Sequence, residues 1–295
     1  PSTGITFSAA IVSAPQGAVL TSGTAAADSN DDTQYSGMSM VGPVQNYKLR
    51  FTATSSTNTD PIHTTSVDTE LFALSHGLAN KLALTTSASG AKAGLNFTTQ
   101  PKVTVQDAQG NTVSSSVTRI KATILDSNGN ATTWAVWRDT GRAVTDSTAG
   151  IIDFGATDNT KLAINGKSGS YRIVYAIVDS NGDPISGTSD VEQNITLTSG
   201  TAANLVITQA PPSSIGAGVV FSPSPRVKLQ DAFGNDINND NATTVSMSLV
   251  TESSGSYTVV KQPGTNTDIA AANVTVTNGV ATFAGTSFVA SLASN

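Results

Sequence analysis

Lys102-Val-Thr-Val-Gln-Asp-Ala-Gln-Gly-Asn111 returns 124 residues later as Arg226-Val-Lys-Leu-Gln-Asp-Ala-Phe-Gly-Asn235. In both copies apolar residues alternate with polar ones and then run into Asp-Ala-x-Gly-Asn. Strict alternation is typical of a strand with one face on a core, and Gly after Asp favours a tight turn. The stretch therefore predicts a β-strand and turn in each copy, with the Asp side chain capping the turn.

Three further blocks keep the same order at a spacing of 123 or 124 residues. Tyr47-Lys-Leu-Arg-Phe51 matches Tyr171-Arg-Ile-Val-Tyr175, and Gly77-Leu-Ala-Asn-Lys-Leu-Ala-Leu84 matches Gly200-Thr-Ala-Ala-Asn-Leu-Val-Ile207. The runs that end at Gly77 and Gly200 also correspond. Blocks in one order at a fixed period indicate tandem domains.

A Gly-to-Phe block sets the phase of the repeat. Gly150-Ile-Ile-Asp-Phe154 resembles Gly279-Val-Ala-Thr-Phe283, and Gly4-Ile-Thr-Phe7 resembles both. We therefore interpret 1–77 as the latter part of a repeat with a polar insertion, 78–200 as a complete repeat, and 201–295 as a repeat incomplete at its C-terminal strands. An incomplete sandwich exposes an edge, which a neighbouring chain could fill through the strand at Tyr47–Phe51, unless further repeats of a longer chain follow.

Composition limits the class of protein. The 295 residues have a net charge of −6, only 12% charged residues and no cysteine. Acidity argues against nucleic acid and anionic membranes as partners, the absence of Cys excludes disulfides, and no apolar run is long enough to insert into a membrane. Strand and turn residues dominate, so we expect an all-β fold.

The segment 203–288 carries a resemblance to bacterial immunoglobulin-like repeats of the invasin and intimin type. Its "LVITQAPPSSIGAGVVFSPSPRVKLQDAFGN" and "VTVTNGVATF" are similar to that family's pattern, and 79–175 matches with an insertion. The resemblance implies tandem immunoglobulin-like Greek-key β-sandwich domains. It also implies a structural, non-catalytic part of an extracellular cell-surface protein: a stalk, an adhesin or a surface-layer (S-layer) component.

Two acidic turns are candidate calcium sites. Asp126-Ser-Asn-Gly-Asn130 and Asp179-Ser-Asn-Gly-Asp183 place oxygens at positions 1, 3 and 5, but lack the Gly at 6 and the Glu at 12 of an EF-hand. A plain hairpin turn is the preferred interpretation of both. The possible Ca²⁺ ligands are the side chains of Asp126, Asn128, Asn130, Asp179, Asn181 and Asp183.

The alternative function is recognition of a host glycan or protein by an adhesin or by a phage or virion-surface module. Loops 25–36 and 134–142 interrupt the repeat, and loops on a rigid scaffold often carry binding. Trp134, Trp137 and Arg138 form a candidate hot spot, although the spacing of the two Trp also permits one in the core. No catalytic motif is present, so we expect no enzyme. Self-association, or contact with neighbouring repeats of the same parent chain, would use Tyr47 and Phe51.

Overall fold

A computed structural model of the chain describes residues 5–13, 15–27, 33–55, 64–115, 117–216, 219–253, 256–259 and 272–285. The described residues form strands and a single short 3-10 helix, Thr140–Ala143. The predicted all-β class is confirmed, and the fold is consistent with a β-sandwich.

The N-terminal segment (5–77) is built on a three-stranded antiparallel sheet, in the order β1-β7-β8. Two-stranded ribbons pair β2 with β5, β3 with β4, and β6 with β9. The strands are β1 Ile5–Ile11, β2 Val19–Thr21, β3 Thr24–Ala27, β4 Thr33–Ser36, β5 Ser39–Val41, β6 Gln45–Tyr47, β7 Leu49–Ser55, β8 Thr64–Asp68 and β9 Phe72–Leu74.

The central segment (78–200) consists of two sheets, with orders β10-β11-β15 and β14-β12-β17-β18, and a ribbon of β13 with β16. Its strands are β10 Lys81–Thr86, β11 Lys102–Gln106, β12 Arg119–Asp126, β13 Ala135–Trp137, β14 Val144–Asp146, β15 Ile151–Asp153, β16 Ile164–Gly166, β17 Gly169–Ile177 and β18 Val191–Leu197.

One core lies between these two sheets. Val103 and Val105 of β11 are fully buried together with Ile120 of β12 and Tyr175 of β17. Their positions follow the two-residue period of each strand, which brings alternate side chains to the inner face. The alternation in the sequence therefore predicted which side chains form the core.

The C-terminal segment (201–285) contains a three-stranded sheet, β19-β20-β25, and the ribbons β21-β24 and β22-β23. Its strands are β19 Ala202–Gln209, β20 Arg226–Asp231, β21 Thr244–Met247, β22 Val250–Ser253, β23 Ser256–Val259, β24 Ala272–Thr275 and β25 Val280–Thr282. A small separate core of six buried residues includes Leu229, Ala281 and Phe283.

The pairing registers show which strands correspond between segments. Leu82 of β10 faces Val105 of β11, and Leu205 of β19 faces Leu229 of β20. The remaining counterparts in the C-terminal segment are β21 for β12, β24 for β14 and β25 for β15. In the N-terminal segment, β1 corresponds to β12, and the ribbon of β2 with β5 corresponds to the ribbon of β13 with β16. The consecutive strands β6 and β7 together correspond to β17, and β8 and β9 together correspond to β18.

The interpretation of the Gly4–Phe7 block was wrong. Ile5–Ile11 pairs antiparallel with Leu49–Ser55, as β12 pairs with β17, whereas Ile151–Asp153 pairs with β11. A short Gly-apolar-x-Phe match cannot distinguish two strands that share the same alternation. The N-terminal segment thus begins with the counterpart of β12, several strands earlier in the repeat than the block indicated.

The described strands pair only with strands of the same segment, when the chain is divided at residues 77 and 200. Within the described residues, every sheet and every isolated bridge lies inside one segment, and none joins strands across residue 77 or residue 200. The described part of the chain also contains no helix with the length and hydropathy that crossing a bilayer requires. Among the described residues, contacts between segments are made by side chains and loops and not by strand pairing.

Candidate functional site: two junctions between segments

Four turns in the described chain share one geometry. They start at Asp107, Asp126, Asp179 and Asp231 and have the form Asp-x-x-Gly-Asn or Asp-x-x-Gly-Asp. In each, Oδ1 of the Asp accepts hydrogen bonds from the backbone N–H groups two and four residues on, at 2.8–3.0 Å. The Gly in each adopts a positive φ of 73° to 90°, a conformation that a side chain disfavours. The predicted capped turn is confirmed at Asp107 and Asp231, and the turns at Asp126 and Asp179 have the same geometry.

Two of the four turns make a second set of contacts, which join the segments. Asn111 lies in the central segment, and its Nδ2 donates to the carbonyl of Gly42 in the N-terminal segment at 2.9 Å. Its Oδ1 accepts from the backbone N–H of Val44 at 3.2 Å. The amide of one side chain thus pairs with a carbonyl and an N–H of the preceding segment. We call these contacts the first junction.

The same contacts recur between the central and C-terminal segments, where we call them the second junction. Asn235 Nδ2 donates to the Gly166 carbonyl at 2.9 Å, and its Oδ1 accepts from Ser168 N–H at 2.8 Å. Each residue lies 124 positions after its counterpart in the first junction. The period of the sequence is therefore also the period of an inter-segment hydrogen-bond pattern.

The Asp of each turn orients this Asn and ties down the connecting backbone. Asp231 Oδ2 accepts from Asn235 Nδ2 at 2.8 Å and from the N–H of Gly200 at 2.8 Å. Asp107 does the same with Asn111 at 2.9 Å and with Gly77 at 2.8 Å. Gly77 and Gly200 lie at the segment boundaries, so each carboxylate fixes the connection that leads into its own segment.

Hydrogen bonding also sets the charge state of these carboxylates. Burial of Asp107 and Asp231 opposes ionisation, but the N–H donors of Gly77 and Gly200 and of the two Asn residues outweigh it. The pKa of each carboxyl is consequently held below its ordinary value. Both side chains are ionised at neutral pH, as acceptor-only groups should be when every neighbour donates.

A tyrosine holds the other side of each junction. Tyr47 Oη donates to the carbonyl of Pro43, and Tyr171 Oη donates to the carbonyl of Lys167, both at 2.8 Å. These carbonyls lie one residue after Gly42 and Gly166, whose own carbonyls meet the Asn. Because Tyr47 is buried, its role here is to fix this corner, and it offers no exposed contact surface.

The two junctions differ in their apolar contact. Phe233 stands in the second turn and packs against the core of the central segment, where Gln109 holds the matching position of the first turn. The Phe233 carbonyl also accepts from Lys167 Nζ at 2.6 Å. The first junction has a polar contact instead, in which the N–H of Ser115 donates to His76 Nε2 at 3.3 Å. The second junction therefore includes an aromatic ring at the position where the first has the polar Gln109.

The proposed calcium ligands are divided between two ends of one sheet. Asp126 lies opposite Tyr171 at the start of β17, while Asp179 follows the end of that strand. At about 3.3 Å per residue the two turns are roughly 25 Å apart, so they do not form one site. The described residues contain no group of three or more His, Cys, Asp or Glu side chains placed to hold a metal ion. Calcium binding at either turn stays a prediction.

The Trp pair separates into one packed and one exposed side chain. Trp137 packs against the central core, lies 6.2 Å from Phe97 between ring centroids, and donates from Nε1 to the Ala122 carbonyl at 2.9 Å. Trp134 is 66% exposed. Arg138 is held by the carbonyl of Gly94 and by Asn96. Of the three predicted contact residues, Trp134 alone presents an open apolar surface.

The remaining predicted residues lie in the N-terminal segment. Phe51 is half-buried and contacts Tyr35, with ring centroids 5.5 Å apart. The prediction of loops was wrong in part: 25–36 falls mostly in strands β3 and β4, and 134–142 contains β13 and the 3-10 helix Thr140–Ala143. Residues 28–32 lie outside the described residues.

The sequence analysis did not predict that Asn111 and Asn235 form hydrogen bonds with the preceding segment. A signal was present, because Gly42 with Gly166 and Tyr47 with Tyr171 recur at the same 124-residue spacing as the Asn pair.

Comparisons with known proteins add little. No family model matches the chain, and no curated protein sequence matches it. A solved β-glucuronidase of glycoside hydrolase family 2 has 19% identity and a TM-score of 0.28, with 66% of this chain covered. The match spans 19% of that enzyme's length.

Proposed function

We propose that this chain is a structural, non-catalytic segment of a bacterial cell-surface protein. Its immunoglobulin-like β-sandwich units would stand in tandem outside the cell, as a stalk or as part of a surface-layer-like lattice. The observation that carries the proposal is the repeated junction. Asn111 and Asn235 make the same two inter-segment hydrogen bonds at successive boundaries.

A fixed joint suits a load-bearing or spacing role. Each Asn pairs with both a donor and an acceptor of the preceding segment, so sliding or rotation of the segments breaks at least two hydrogen bonds. The Asp beside it closes the connecting backbone at Gly77 or Gly200. Repetition of one joint gives every unit the same relation to the next, which is how repeat proteins build extended shapes.

The outer surface suits a protein that acts as a spacer or support. Ion pairs on the described strands are mostly between exposed side chains, such as Arg50 with Asp68 and Arg119 with Asp146. Exposed pairs of this kind contribute little stability and mainly maintain solubility. Burial of the separate cores supplies the stability of the units.

Labelling of intact cells tests the proposal. Antibodies raised against residues 78–200 should bind whole cells of the source organism, and surface proteolysis should remove the signal. An antibody against an internal enzyme is the control, which should label only permeabilised cells. Labelling by the first antibody only after permeabilisation contradicts the surface assignment.

A recognition function is the second candidate, and the exposed Trp134 favours it. An indole that is 66% exposed offers the flat apolar face on which sugar rings and protein loops commonly pack. Binding to a glycan array that is lost in Trp134→Ala supports this candidate. Equal binding by the wild type and this variant contradicts it.

A further inference from the structure

The ribbon of β13 with β16 carries exposed apolar side chains on its outer face. Val136 of β13 pairs directly with Asn165 of β16, so their side chains lie on the same side. Trp134 precedes Val136 by two residues and shares this side, while Ala135 and Ile164 point inward and are buried. Trp134 is 66% exposed and Val136 51% exposed. We call this outer surface the ribbon face.

Polar groups lie beside the exposed apolar side chains. The Asn165 side chain is half-buried and forms no hydrogen bond within the described part of the chain, so its amide is available both to donate and to accept. Arg138, two residues after Val136, reaches across β16 to the carbonyl of Gly94 and to Asn96. A guanidinium has five N–H donors, so these two hydrogen bonds leave donors for another acceptor.

The positive charge of Arg138 has no carboxylate partner among the described residues. The adjacent Asp139 is paired with Arg142. Three further arginines form ion pairs with Asp or Glu, namely Arg50, Arg119 and Arg172. In a chain of net charge −6, an unpaired guanidinium next to exposed apolar side chains favours an anionic ligand at that place. A guanidinium holds a carboxylate through two parallel N–H···O bonds, which makes the carboxylate the best-matched anion.

The second junction borders the ribbon face. A Cβ at Gly94 would lie 3.1 Å from the Phe233 ring and 4.0 Å from Asn165 Oδ1, so the ring and the amide lie on the same side of the ribbon. Lys167 lies opposite Trp134, and its Nζ is occupied by the Phe233 carbonyl. The ribbon face is therefore flanked by one aromatic ring from each of two segments, with Arg138 as the cation that is left to bind a ligand.

We propose that the ribbon face binds an acidic oligosaccharide, with a sugar ring stacked on Trp134 and a carboxylate held by Arg138. A sugar ring has a face of C–H groups and a rim of hydroxyls, which suits an exposed indole next to the amide of Asn165. Four residues of extended strand separate Trp134 from Arg138, which is about 13 Å. An oligosaccharide spans that distance, whereas a single sugar ring does not.

This inference rests on the recognition function given above as the second candidate, because it names the class of ligand for the same exposed tryptophan. The two fail separately. A neutral glycan that binds through Trp134 would support recognition and exclude a carboxylate contact at Arg138.

Two acidic probes and their esters test the inference on the full chain. Sialyllactose and trigalacturonic acid carry carboxylates from two different sources, and each is compared with its methyl ester by isothermal titration calorimetry. The wild type should bind one of the acids saturably and bind its ester about 10- to 100-fold more weakly, which corresponds to the loss of a hydrogen bond between charged groups. Added salt should weaken binding of the acid and leave that of the ester unchanged.

Substitutions locate the contact. Arg138→Gln should reduce the affinity for the acid to that for the ester, and Arg138→Lys should keep part of the preference because it keeps the charge without the paired N–H donors. Trp134→Ala should abolish binding of both forms. The matched control is Arg226→Gln, at an exposed arginine of β20 that has no described ion pair, and it should bind like the wild type. Circular dichroism checks that each variant is folded.

Equal affinity of the wild type for acid and ester overturns the inference. Binding of the acid that survives Arg138→Gln, or that falls equally in Arg226→Gln, also overturns it, since the carboxylate would then be held elsewhere. The absence of saturable binding of either acid overturns it as well, and neutral glycans or a host protein retained through Trp134 would then still support the recognition function.

Discussion

Asn235 reaches from one segment into another to donate a hydrogen bond to the carbonyl of Gly166, and 124 residues earlier Asn111 does the same to Gly42. Each Asn also accepts an N–H from the same corner of the preceding segment. The amide of Asn235 donates two N–H groups, to Gly166 and to Asp231, and accepts a third from Ser168, which a hydroxyl with a single proton cannot do. Asn at this position is therefore required by the contact between segments as well as by the turn that contains it.

Replacement of Asn235 by Ala should loosen the second junction. The change leaves the Gly166 carbonyl, the Ser168 N–H and one oxygen of Asp231 short of a partner, at about 1–3 kcal/mol for each group that stays buried. Spin labels at Ser127→Cys and Asn238→Cys, in a chain with no native Cys, should give a broader distance distribution.

The matched control is Asn130→Ala. Asn130 holds the same position in the turn that begins at Asp126, but it is exposed and makes no described contact with another segment. It should leave the distance distribution unchanged and alter stability by no more than about 0.5 kcal/mol. Equal broadening in both variants would mean that the turn, and not the junction, sets the distance.

Replacement of the Phe233 ring by a polar side chain should weaken docking at the second junction less than Asn235→Ala does. Phe233→Gln introduces the residue that stands at the same place in the first turn and removes a ring packed on the central core. Loss of a half-buried ring should cost roughly 1 kcal/mol of the free energy of docking. Guanidinium titration followed by the same label pair measures it, with Gln109→Ala as the polar control. An unchanged midpoint for Phe233→Gln would exclude the ring from the joint.

Periodicity predicted the fold better than it predicted the junctions, for a physical reason. Inward-facing positions such as Val105 and Tyr175 follow from alternation, because burial of one strand face is a local constraint. The partner of Asn111 is set by how two segments dock, which no local pattern encodes. The turns at Asp107 and Asp179 have the same backbone geometry, so only the recurrence of Gly42, Tyr47 and their counterparts distinguished a joint from a hairpin tip.

The two boundary glycines should respond differently to a methyl group. A Cβ at Gly200 would lie 2.1 Å from the carbonyl oxygen of Ala93, a clash with backbone, whereas a Cβ at Gly77 would lie 3.5 Å from its nearest neighbour in Asp107. Gly200→Ala should lower the free energy of unfolding by about 1–3 kcal/mol through overpacking. Gly77→Ala should change it by about 0.5 kcal/mol or less. Thermal unfolding of the pair measures the contrast, and equal shifts would show that the backbone at Gly200 yields.

Replacement of the two tryptophans by Ala should lower the stability of the central segment by different amounts. Trp137→Ala removes a ring that packs on Phe97 and an N–H donated to Ala122, so it should cost about 2–4 kcal/mol of the stability of the central segment. Trp134→Ala removes an exposed ring and should change stability by less than about 0.5 kcal/mol. Urea unfolding followed by circular dichroism compares them. A large loss in Trp134→Ala would place that ring in a contact that its exposure does not indicate.

Acid should open both junctions by protonating Asp107 and Asp231. Burial works against the charge on Asp107 and Asp231, but the hydrogen bonds they accept win, and their pKa values lie below the ordinary value. A lowered pKa in the folded state means that the stabilisation is complete above about pH 4, the pKa of an unfolded Asp, and is lost as the pH falls through the folded value. The nearby cations, Lys81 and Lys167, donate to backbone carbonyls of the turns. Label distances across the second junction should therefore be constant from pH 7 to about pH 4 and broaden below it, while tryptophan emission reports an intact central segment. Broadening that is already complete well above pH 4 would exclude these carboxylates as its cause.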